Sequence, residues 1–126
     1  MKKHKILIID DEEQILDVMG TYLSRKGFDV EQARAAEEGL EILGREKGID
    51  LVILDEKMPG MSGTEFIKTL REEEKGLPVI VLTGSVGLST LEHVRKHYSK
   101  HVLYKPIRLS ELTSLAKRII SSGAKK

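Results

Sequence analysis

Three stretches of the chain are apolar without interruption: Ile6-Leu7-Ile8-Ile9, Leu51-Val52-Ile53-Leu54 and Val79-Ile80-Val81-Leu82. None alternates with polar residues, the pattern of strands buried on both faces of a sheet. Residues 28–33 form a weaker, more polar run, expected nearer a sheet edge, and residues 101–104 a short fifth strand. Helical spacing fills the gaps. Ile15, Met19, Tyr22 and Leu23 repeat along a first helix, with Gly27 as its stop. Ala36, Leu40 and Leu43 mark a second, and Phe66, Ile67 and Leu70 a third, which Ser62 is placed to cap. Leu88, Leu91, Val94 and Tyr98 mark a fourth, and Leu112, Leu115, Ala116, Ile119 and Ile120 a fifth. Five strands alternating with five helices predict right-handed crossovers and an α/β fold, a parallel sheet with helices on both faces.

The length of 126 residues suits one domain with one sizeable core. Lysines and arginines (21) nearly balance acids (20), so the net charge of +1 predicts neither a broad nucleic-acid surface nor a membrane-binding one. With no cysteine, disulfides, thiolate metal sites and thiol nucleophiles are excluded. The basic N-terminus is followed by too short an apolar run for a signal peptide or a membrane span, so the expected location is cytoplasmic.

Each strong strand ends in a group able to do chemistry: Asp10 and Asp11 after the first, Asp55 after the third, Thr83 after the fourth, Lys105 after the fifth. In a parallel sheet those ends share one edge, where open α/β folds bind ligands. Three carboxylates gathered there need a cation or a proton, because two unit charges about 4 Å apart repel by about 4 kcal/mol at an effective dielectric near 20. Oxygen-only ligation suits Mg²⁺. With the Lys105 ammonium and the Thr83 hydroxyl, the set predicts a pocket for a dianionic tetrahedral group on or beside a carboxylate. His93 and His97, at helical spacing, are read as solvated rather than as a zinc pair.

Four segments in this order carry a resemblance: Ile6 through Glu12, Leu51 through Gly63, Val79-Ile80-Val81-Leu82-Thr83-Gly84 and Leu103-Tyr104-Lys105-Pro106-Ile107. Together they resemble the receiver domain of two-component response regulators. The resemblance implies a flavodoxin-like doubly wound sheet of strand order 2-1-3-4-5. It implies that Asp55 accepts a phosphoryl group from a sensor histidine kinase or a phosphotransfer protein, and that Mg²⁺ is held by Asp10, Asp11, Asp55 and the backbone carbonyl of Lys57. It implies that Thr83 is the switch hydroxyl, that Lys105 pairs with the phosphoryl group, and that the bond to Pro106 is cis. Residues 1–121 are then the receiver, and 122–126 a polar tail or the start of a linker. An output partner, or an effector domain in a longer chain, is expected to read the switch. Dimerisation through the last helix is left open.

The sequence also departs from the family pattern. Receivers commonly place an aromatic switch residue three positions before the lysine, where this chain has Val102. Tyr104 is adjacent to Lys105, so strand alternation turns it to the other face. Gly84 keeps space beside Thr83, and the Lys57 side chain is placed to affect acyl-phosphate lifetime. Residues 96–101 are basic, which suits an acidic partner. Two rival classes use a similar sheet. An aspartyl phosphatase would need a cap region for which no length remains. A flavin or nucleotide module would need a glycine-rich loop where this chain has acids.

Overall fold

A computed structural model describes residues 3–56, 60–61, 63–73, 76–84 and 101–122. The strands are β1 (Lys5–Ile9), β2 (Asp29–Ala33), β3 (Ile49–Asp55), β4 (Val79–Thr83) and β5 (His101–Tyr104). The helices among the described residues are α1 (Glu13–Arg25), α2 (Ala36–Arg45), α3 (Gly63–Glu73) and α4 (Leu109–Ser121). All strand pairs are parallel, in the order β2-β1-β3-β4-β5. The helix expected over residues 88–98, with His93 and His97, lies outside the described residues, as do Lys57 and Ser62.

The continuous apolar runs divide by residue parity between two cores. Leu7, Ile9, Val52, Leu54, Val79 and Val81 meet Ala36 and Ile42 of α2 and Phe66, Ile67 and Leu70 of α3. Ile6, Ile8, Leu51, Ile53, Ile80 and Leu82 meet Leu16, Met19 and Leu23 of α1 and Leu112, Ala116 and Ile119 of α4. Alternate side chains leave a strand on opposite faces, so a run that must fill both cores has no room for polar residues. The two strands with less continuous apolar runs, β2 and β5, take the edges.

Two helices sit differently on the sheet than residue type alone suggests. In α1 the buried positions are Leu16, Met19, Gly20 and Leu23, while Ile15 is 39% exposed and Val18 55%. In α2 they are Ala36, Gly39 and Ile42, with Leu40 and Leu43 only partly covered. Gly39 draws α2 close: a Cβ there would come within 2.5 Å of Ile9 Cδ1. Gly27 ends α1 with φ of +99°, the left-handed conformation that L-residues with a Cβ avoid.

Candidate functional site

Strand register builds the site. Ile9 pairs with Leu54, so Asp10 and Asp55 follow at the same level on neighbouring strands. Asp55 pairs with Leu82, and Thr83 with Tyr104, which puts Thr83 and Lys105 on the same edge. The Lys105 backbone N–H donates to the Thr83 carbonyl at 2.8 Å, carrying the ladder one step past β5. The Lys105–Pro106 peptide bond is cis.

Asp10 and Asp55 are nearly sealed, at 1% and 3% exposure, and Asp11 is half-buried. One carboxylate oxygen from each of the three lies within 4.8 Å of the others. Lys105 Nζ donates to Asp55 Oδ1 at 2.9 Å. Burial pulls the Lys105 ammonium toward neutrality, but the hydrogen bond to Asp55 and the charges of Asp55 and Asp10 outweigh it and raise its pKa.

The Asp10 carboxyl is under electrostatic tension. Burial pushes its carboxyl up to about 6, with the Asp55 and Asp11 charges adding to the rise. The Glu12 N–H, donating to Asp10 Oδ1 at 2.9 Å, and the Lys105 charge only partly offset it. That hydrogen bond also settles how the chain enters α1. Asp10 satisfies the Glu12 amide just before the helix, whereas Glu12 at the N-cap makes no side-chain capping bond. The other Asp10 oxygen, Oδ2, is buried and has no hydrogen-bond partner among the described residues. A buried carboxylate oxygen with no donor, beside two further carboxylates, fits a hard divalent cation, which prefers oxygen ligands.

The structure thus brings Asp10, Asp11, Asp55 and Lys105 together, with Thr83 at the same edge. Lys57 lies outside the described residues. Val102 packs against the α2–α3 core, on the face opposite Leu103. The Tyr104 hydroxyl is buried, with no hydrogen-bond partner among the described residues.

Glu56 was missed by reading the sequence. The Thr83 hydroxyl donates to Glu56 Oε1 at 2.5 Å, and the Glu56 N–H donates to the Leu82 carbonyl at 2.9 Å. A lone glutamate beside a strand-ending aspartate carries no recognisable signal. A groove of about 380 Å³ adjoins the acids, lined by Ile15, Val18 and Met19 of α1 and by Pro106, Ile107 and Leu109.

A model of the response regulator receiver domain matches residues 6–117. The chain belongs to the response regulator receiver family. It is therefore a domain of phosphorylation-dependent signalling, and neither the phosphatase nor the flavin-module reading is favoured. Sporulation initiation phosphotransferase F of Bacillus subtilis is 28% identical over 120 residues, covering 95% of this chain and 96% of that protein. The transcriptional regulatory protein GlrR of Escherichia coli K12 is 38% identical over 83 residues, which is 66% of this receiver but 18% of GlrR. A receiver domain crystal structure from Clostridium thermocellum superposes with a TM-score of 0.87 at 32% identity, covering 95% of this chain and 96% of that one. Among the described residues no helix is long and apolar enough to cross a membrane.

Proposed function

We propose that Asp55 is the phosphoacceptor of this receiver and that Asp10 and Asp11 hold Mg²⁺ beside it. The observation that supports this best is the Lys105 ammonium on the Asp55 carboxylate, at 2.9 Å, within a cluster of acids that share one sheet edge. The Asp55 carboxylate attacks the phosphorus of a phosphohistidine, or of a small acyl phosphate. The phosphorus–leaving-group bond breaks as the aspartyl–phosphoryl bond forms, and the leaving group takes the electron pair. Bound Mg²⁺ would neutralise the charge gathered on the phosphoryl oxygens. Lys105 offers its ammonium protons to a phosphoryl oxygen as well as to Asp55. Thr83 turns its hydroxyl to a phosphoryl oxygen once one is present, and that turn biases the surface that partners read.

The donor is a histidine kinase or phosphotransfer protein. Its docking surface includes the groove beside α1, where Ile15 and Val18 leave apolar side chains in solvent along a groove that Asp10 and Lys105 also line. Output passes to a partner or to an effector domain. Labelling with acetyl phosphate, or with beryllofluoride and Mg²⁺, tests the acceptor. An adduct on the wild type that is lost in Asp55→Asn is expected. No adduct, or one that survives the substitution, would overturn the assignment.

A further inference from the structure

We propose that Glu56 is a positioning residue: it holds the Thr83 hydroxyl in the unphosphorylated state and sets how readily the switch is thrown. The inference rests on the reading of Thr83 given above. Thr83 is 1% exposed, so its hydroxyl has little access to water. It donates to the Glu56 carboxylate at 2.5 Å. Both partners are anchored by backbone hydrogen bonds. The Thr83 carbonyl accepts from the Lys105 N–H at 2.8 Å, and the Glu56 N–H donates to the Leu82 carbonyl at 2.9 Å.

A threonine hydroxyl has one proton. It cannot be given to Glu56 and to a phosphoryl oxygen at the same time. Activation must therefore break the Glu56 contact, which is charge-assisted and stronger than a bond between neutral groups. The phosphoryl group itself helps to break it. It arrives as a second anion on the residue next to Glu56, so it repels the carboxylate while offering Thr83 another ionised acceptor. Glu56 thus opposes the active form without touching the reacting atoms. The sequence neighbour of the acceptor, rather than an aromatic ring three positions before Lys105, restrains the switch.

Beryllofluoride titration at saturating Mg²⁺ tests this, with wild type, Glu56→Gln, Thr83→Val and the double variant. Glutamine keeps the size and an acceptor oxygen but loses the charge, so the latch weakens by the difference between a charged and a neutral hydrogen bond. Glu56→Gln is then expected to bind beryllofluoride about tenfold tighter than wild type. In the Thr83→Val background the same substitution is expected to gain clearly less, only the share that comes from relieved charge repulsion, because no hydroxyl is there to hold. In the ligand-free protein, the Thr83 side-chain NMR signals should move toward their beryllofluoride-bound positions in Glu56→Gln. An equal gain in both backgrounds would mean that Glu56 acts only through its charge, and would overturn the proposal. So would no gain in either. If wild type itself fails to bind, or Asp55→Asn still binds, the assignment of Asp55 fails and takes this inference with it.

Discussion

Asp10→Asn is expected to make the protein more stable while disabling the proposed metal site. The folded chain holds the Asp10 carboxyl at about 6 against an ordinary value of 3.8. A raised carboxyl pKa means that the native state binds a proton more tightly than the unfolded chain does. Stability from this group is therefore full below the unfolded pKa and declines as pH rises through about 6. The rise from 3.8 to about 6, at about 1.4 kcal/mol for each pH unit, means that the ionised carboxylate destabilises the fold by about 3 kcal/mol at pH 7.5. Asparagine retains an oxygen to accept the Glu12 N–H. Its amide would sit where Oδ2 is now, buried without a partner beside the other two carboxylates. Urea unfolding in EDTA should show a gain of about 3 kcal/mol at pH 7.5, falling below about 1 kcal/mol by pH 4, where wild-type Asp10 is protonated in the native state. A gain that does not depend on pH, or a loss of stability at pH 7.5, would refute the claim that buried charge drives the effect.

The remaining expectations concern metal, charge, docking and backbone. Mg²⁺ at a hundred times its dissociation constant should stabilise wild type by about 2.7 kcal/mol in thermal melts and leave Asp10→Asn almost unmoved. Lys105→Met should slow labelling of Asp55 by acetyl phosphate at least tenfold, because it removes the fixed cation 2.9 Å from the acceptor; an unchanged rate would place Lys105 outside the chemistry. Val18→Asp should impair phosphoryl transfer from a histidine kinase while acetyl phosphate labelling stays within about twofold, since Val18 is 55% exposed and lines the groove rather than the acid cluster. Gly27→Ala should destabilise the fold by about 1 kcal/mol in urea titration, because φ there is +99°.

The architecture was legible because its signals are local. A strand buried on both faces has to be apolar at consecutive positions, so the cores of β1, β3 and β4 stand out in the sequence, and the polarity of β2 marked an edge. Asp10, Asp55 and Lys105 were legible for the same reason, each following a strand run directly. The faces of the helices were less so. The repeat read from spacing placed Ile15 on the inner face, but packing on Ile6, Ile8 and their neighbours buried Leu16 and left Ile15 39% exposed.

Only the tertiary structure decided what the site residues do to one another. Lys105 lies 50 positions from Asp55, and Thr83 lies 27 from Glu56, so neither contact leaves a trace in local spacing. The raised pKa of Asp10 has the same origin. It comes chiefly from burial and from Asp55 brought close by strand register, neither of which a string of residues can express; only the smaller contribution of the adjacent Asp11 is visible in the sequence. The sequence by itself determined which groups end the strands, because hydrophobic burial is a property of each run. Their protonation, pairing and restraint depend on distances across the sheet, and those exist only once β1, β3, β4 and β5 lie side by side.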